Sequence, residues 1–326
     1  MCQQIFVEAL RQVEQESRDA RVTPIIRRLT APIRVAVRGR DGVGRATVAA
    51  ALTAARVSVS PGPAADIDVL VIAEALKPED RALIGGSGRP AVVVLNKADL
   101  TGFGAGGPVA LAHQRAARCR GLTGLPTVPM IALLADVVMT DDLLGALHIL
   151  RTQPADLTST DAFTEAPHPL PRELRERLLG VLDRFGIAHA VLALDRGVSA
   201  DSLQNHLRQL SRLDRVVEHI HAAGAPLRYQ RLRVAVRQLR ALAAQSNESR
   251  LTDLLVTDDS VLAMMTAAVD VVEAAGVTVD RDDGPAAHLG RAVHWQRYGS
   301  GPVDRLHRAC AADISRGSLR LLERSR

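Results

Sequence analysis

Aromatic side chains are scarce, 2% of 326 residues, with one Trp, two Tyr and four Phe. Any core must therefore be built from Leu, Val, Ile and Ala. Lysine is scarcer still: of 41 basic residues only Lys77 and Lys97 are lysines. The three cysteines, Cys2, Cys119 and Cys310, stand far apart and form neither a CxxC pair nor a disulfide framework. That favours reduced thiols and a cytoplasmic setting. The sequence carries no N-terminal signal pattern and no uninterrupted apolar run near twenty residues. "SVLAMMTAAVDVVEAAGVTV" comes closest, and Asp270 and Glu273 interrupt it.

What is present describes a globular chain. Hydrophobic residues are 47% and charged residues 24%, and the length allows two modest cores. The net charge of +5 could suggest a nucleic-acid or acidic-membrane partner. Acidic residues are interspersed with the basic ones, however, as on a solvated mixed surface, and no nucleic-acid partner is expected.

Residues 3–28 offer a rough apolar face through Ile5, Ala9, Leu10, Val13 and Ala20, and predict a helix. From Pro32 to about residue 150, apolar strands alternate with helices, which predicts a mostly parallel sheet flanked by helices. The polar stretch 153–171, with four prolines, reads as a loop or linker, and "IAHAVLAL" (187–194) as one further strand. From about 199 onward the pattern is helical. The expected organisation is an N-terminal helix (1–30), an α/β domain (31–198) and an all-α helical bundle (199–326).

Two motifs carry chemistry. "GRDGVGRAT" sets Gly39 and Gly44 five apart between a strand and a helix, close to G-x-x-x-x-G-K-[ST]. Such a turn aims successive N–H groups, here across Asp41, Gly42, Val43, Gly44, Arg45, Ala46 and Thr47, at a phosphate, with the positive end of the helix dipole behind them. Some 50 residues later "NKAD" ends the apolar run "AVVVL". An aspartate at that edge, Asp99, can accept both N1–H and N2–H₂ of guanine and so reject adenine. Asn96 can approach N7, and the aliphatic stem of Lys97 can lie along the base, which accounts for one of the two lysines standing here.

These motifs resemble those of P-loop GTPases of the TRAFAC class. "VPMIALLAD" is similar to their S-A-[KL] strand and loop, with Ile131 for the serine and Ala132 retained; "SVSPGP" is similar to D-x-x-G, with Val59 for the aspartate and Gly62 in place. The stretch from "LLGVLDRFG" to "LRALAA" resembles the segment following the G domain in actinobacterial dynamin-like GTPases, including the isoniazid-inducible type. The resemblance implies a bound GTP or GDP, with the backbone N–H of Ala132 meeting guanine O6. It also implies a protein partner, either another GTPase or a second copy.

The departures lie on the metal side. Ala46 replaces the hydroxyl that would ligate Mg²⁺, Val59 replaces the metal-facing acid, and about a dozen residues between Thr47 and "VSPG" leave no room for a switch loop. Thr47 is the one candidate to restore a metal ligand. Arg45 keeps a positive charge in the place of the phosphate-binding lysine. The expectation is a pseudo-GTPase with a regulatory or scaffold role and no catalytic residue. The alternative is a slow, active GTPase of the dynamin-like group at the membrane surface, a cytoplasmic protein peripheral to the inner face of the membrane.

Other features are weaker. His219 and His221, two apart on a helix, face different sides and make a poor metal site. "RYQRLRVAVRQLR" (228–240) predicts a basic amphipathic helix with Leu232, Val236 and Leu239 inward; it fits a bundle face, or an anionic membrane through Arg231, Arg233 and Arg237. Trp295 and Tyr298 read as an exposed interface anchor or as core filling near a loop.

Overall fold

The structure is a computed structural model that describes residues 2–17, 19–102, 104–246 and 249–325. In chain order it contains α1 (Cys2–Ser17), α2 (Thr23–Thr30), β1 (Arg34–Gly39), α3 (Arg45–Ala54), β2 (Ser58–Val59), β3 (Ile67–Ala73), α4 (Pro78–Gly85), β4 (Ala91–Asn96), α5 (Gly107–Thr123) and β5 (Thr127–Pro129). Helices follow: α6 (Asp141–Thr152), α7 (Thr160–Glu165), α8 (Arg172–Asp195), α9 (Ala200–Ser211), α10 (Leu213–Ser246), α11 (Ser249–Val256), α12 (Asp258–Ala274), α13 (Pro285–Ser300) and α14 (Arg305–Arg324). The chain divides into two compact units, Ile33–Ile220 and Met1–Pro32 with His221–Arg326. The boundary falls inside α10 and not near residue 199, because α9 buries Leu203 and Leu207 in the core of the sheet unit. The N-terminal helices likewise belong to the helical unit.

In the sheet unit five strands lie wholly parallel in the order β2-β1-β3-β4-β5. β3 and β4 are buried almost along their length and apolar apart from Asp68 and Asn96, as strands covered on both faces are. Edge strands β2 and β5 are only two and three residues long. This is a doubly wound order whose direction reverses between β1 and β3. In such sheets ligands bind beyond the carboxyl ends of the strands at that reversal.

In the helical unit the core gathers Phe6, Leu10, Tyr229, Leu232, Leu239 and Trp295 with the apolar faces of α12 and α14. Leu232, Val236 and Leu239 point inward as their spacing predicts. Arg231 donates to the carbonyl of Ala31 (2.7 Å), and the Arg233 guanidinium lies over the Tyr229 ring at 5.6 Å. Tyr229 in turn donates to the buried Asp313 carboxylate (2.7 Å).

Three expectations about elements change. Residues 3–28 are two helices: Arg21 donates its N–H to Asp19 Oδ1 in a tight Asx turn, and Pro24 then starts α2 (Arg18 lies outside the described residues). Ile5 is exposed, and Phe6 and Val7 take the core positions beside Leu10. "IAHAVLAL" is helical, the second half of α8 after a break at Asp183 (φ 54°, ψ 174°). An eight-residue apolar run does not by itself distinguish a strand from a buried helix. Finally, Trp295 is almost fully buried on α13, so it fills the core and anchors no interface.

Candidate functional site

The site begins with glycines that nothing else can replace. Gly39 ends β1 at φ +151°, and a Cβ there would stand 2.4 Å from the carbonyl oxygen of Val71 on β3. The turn proceeds through Gly42 (φ +80°) to Gly44 (φ +86°), which starts α3 in the left-handed region with no side chain capping the helix. Among the described residues, no protein acceptor takes the N–H groups of Asp41 to Thr47. They lie at the start of a ten-residue helix, where an anion is favoured by both hydrogen bonds and dipole.

Asn96, the last residue of β4, fixes this turn. Its Nδ2 donates to the carbonyl of Val43 (2.9 Å), and its Oδ1 accepts the backbone N–H of Ala132 (3.0 Å). A Cβ on Gly44 would approach Asn96 Nδ2 to 2.4 Å, so the second glycine of the turn makes room for the asparagine. One buried side chain thus ties the turn after β1 to the loop after β5. One assignment changes as a result and another narrows. Asn96 is only 3% exposed, with Oδ1 and one Nδ2 hydrogen engaged, which leaves the second Nδ2 hydrogen as its one group for N7. Ala132 is similarly buried, and its N–H is given to Asn96, so it is not offered to a guanine oxygen.

The rest of that loop is also engaged. Met130 donates to Leu95 (2.8 Å), and Ile131 donates to the carbonyl of Ser211 at the end of α9 (3.0 Å). Gly186 of α8 lies so close to this loop that a Cβ would come within 2.7 Å of Leu134. Lys97 and Asp99 remain outward. Lys97 is exposed with φ 57°, and Asp99 is half-buried in the short 3₁₀ turn that follows. Burial pushes the Asp99 carboxyl above its ordinary range; the nearby Asp183 carboxylate adds to this, while its own backbone N–H and Lys97 oppose it.

The side expected to hold metal is different in chemistry. Ala46, Val59, Ser60 and Gly62 line a groove of about 690 Å³ together with Arg38, Arg45 and Arg89. Beneath it the buried Asp68 carboxylate holds Arg38 (3.3 Å) and Arg89 (2.9 Å). Arg89 also donates to the carbonyls of Gly62 and Ala65 at 3.1 Å each, which pins the "SPGP" loop. Thr47 is exposed and does not line the groove. Arg45 pairs with Asp41 on the open side of the turn. Three guanidiniums, a methyl and an isopropyl group do not fit a divalent cation, and no step is drawn through one. Among the described residues no three His, Cys, Asp or Glu side chains are grouped as metal ligands, His219 and His221 included.

On the other flank of the turn, Arg40 Nε donates to the fully buried Asp80 (2.9 Å), whose second oxygen accepts the Lys77 N–H (3.0 Å). Asp68, Asp80 and Ser211 are supports that the motifs did not identify, and Asp183 is a neighbouring charge that they did not identify either. Asp68 left a signal, since a carboxylate inside "IDVLVIA" demands a buried partner. Ser211 acts through its carbonyl and left none.

No known protein family, curated protein or solved structure matches the chain.

Proposed function

We propose that Ile33–Ile220 is a P-loop GTPase-like module that binds a guanine nucleotide, hydrolyses it slowly or not at all, and serves a regulatory or scaffold role towards another protein. The observation that carries this reading is the Asn96 bridge. It joins a turn with free N–H groups to the loops beside Asp99, at the sheet edge where doubly wound folds bind ligands. In this reading the N–H groups of residues 41–47 and Arg45 hold the phosphates. Asp99 reads the base, and the Lys97 stem covers it. The nucleotide supplies a phosphoanhydride, but among the described residues no carboxylate lines the adjoining groove to hold a cation that would stabilise its cleavage.

Titration calorimetry with GDP and GTP, each with Mg²⁺ and with chelator, tests it. The expected outcome is micromolar or tighter binding, about −8 kcal/mol, unchanged by chelation, with no GTP turnover. Asp99→Asn should lose guanosine affinity by about tenfold or more, the value of a hydrogen bond to a charged acceptor, and gain xanthosine affinity. Absence of binding under all four conditions would refute the reading.

A further inference from the structure

A second concave site lies in the same unit, on elements that share no residue with the phosphate turn. It is a cleft of about 550 Å³ between the end of β3 and helices α4 and α5. The floor is apolar: Ile72, Leu95 and Cys119 are core residues whose outer surfaces face the cleft, and Leu76 and Leu122 continue it outward. Leu122 is 59% exposed and extends the apolar floor to the surface.

The rim carries three arginines against one carboxylate, that of the exposed Glu74. Arg81 comes from α4, and Arg115 and Arg118 come from α5, one turn apart. Among the described residues none of the three lies in an ion pair, and their one side-chain hydrogen bond runs from Arg115 Nη1 to the backbone carbonyl of Glu74 (3.4 Å). By contrast, Arg38, Arg40, Arg45 and Arg89, around the turn and groove, are each matched with a carboxylate. Glu74 itself holds a left-handed backbone (φ 63°), a conformation that costs a residue with a side chain about 1 kcal/mol or more and is retained where surroundings fix it.

Unmatched guanidiniums around an apolar floor suit one class of ligand. Arginine forks match the two oxygens of a carboxylate or phosphate, and the floor rewards an apolar body. The volume is that of a small-molecule pocket. We propose that this cleft binds a small anionic amphiphile, an acyl or aryl group carrying a carboxylate or a phosphate, with Arg115 and Arg118 on the anion and Ile72, Leu95 and Leu122 against the apolar body.

The full chain is titrated calorimetrically with decyl phosphate, decanoate, decanol and inorganic phosphate, each below its aggregation concentration. Decyl phosphate or decanoate should bind at least tenfold tighter than either decanol or inorganic phosphate, and the better of the two identifies the anion. Arg118→Gln should weaken that binding about tenfold, Arg81→Gln should weaken it less, and Arg120→Gln, which does not line the cleft, should leave it unchanged. The folding of each variant is checked by circular dichroism. Equal binding of decanol and decyl phosphate, an unaffected Arg118→Gln variant, or no binding of any probe overturns the proposal.

Discussion

The two ends of one sheet edge have had opposite fates. Among the described residues the turn after β1 leaves the N–H groups of residues 41–47 without protein acceptors; side chains engage it at the Val43 carbonyl, through Asn96, and at the flanks, Arg40 with Asp80 and Arg45 with Asp41. The loop after β5 has used its groups: Met130 on Leu95, Ile131 on Ser211, Ala132 on Asn96. Backbone donors must find partners when buried, so the packed end is internally complete and the open end is left to solvent or to a ligand. The difference shows that a sequence motif can keep its letters while its groups change task. Asn96 stands where a base-contacting residue was expected and works as a tie between two loops.

The largest test of this contrast is Asn96→Ala. It would strand the Val43 carbonyl and the Ala132 N–H, each buried, at about 1–3 kcal/mol apiece. Chemical denaturation should show a loss of about 2–5 kcal/mol, and nucleotide affinity should fall with it; a loss below 1 kcal/mol would mean the tie is dispensable. Gly44→Ala strikes the same tie from the other side. The left-handed backbone alone costs about 1–2 kcal/mol, and the new methyl displaces Asn96. The double variant should therefore cost less than the sum of the two single ones, as it does for residues in contact.

A smaller effect sharpens the role of Asp99. Its folded-state pKa is raised, so its contribution to stability is present at low pH and is lost as pH rises through the raised value. Guanine requires the carboxylate form, so GDP affinity should fall as pH drops through that same range. Asp99→Asn should remove this dependence and leave the unliganded protein at least as stable at neutral pH. Calorimetry across pH 4–8 with both proteins reads it directly. The smallest effect expected is on stability in Arg45→Gln. Its pair with Asp41 is exposed and worth at most about 1 kcal/mol, while phosphate affinity should drop roughly tenfold with the loss of a charged donor.

Much of the sheet unit was legible because its signals are local. Apolar strands, glycines at Gly39 and Gly44, and the polar end of β4 each declare themselves within ten residues. What was not legible depends on distant partners. The burial of α9 in the core of the sheet unit, the bond from Ile131 to Ser211 (80 positions apart) and the pairing of Arg89 with Asp68 (21 apart) are of this kind, and no local period encodes them. In the helical unit α10 runs on through Pro226, where a helix end would be expected. Ala225 and Tyr229, buried on either side, show that packing overrides the local cost. Glycines at 290 and 299 dilute the pattern of α13, and its one strong residue, Trp295, reads equally as surface or core.

The shortness of the edge strands has a consequence for association. A parallel sheet with long bare edges invites a strand from another molecule, the first step of domain swapping and of fibril growth. Here one edge offers Ser58 and Val59, followed by Pro61 and Pro63, and the other offers Thr127 to Pro129, preceded by Pro126. Proline cannot donate to a ladder, so neither edge can template more than a residue or two of added strand. A partner that joins this sheet unit must therefore recognise side chains on its helices and loops, because its backbone is closed to strand addition.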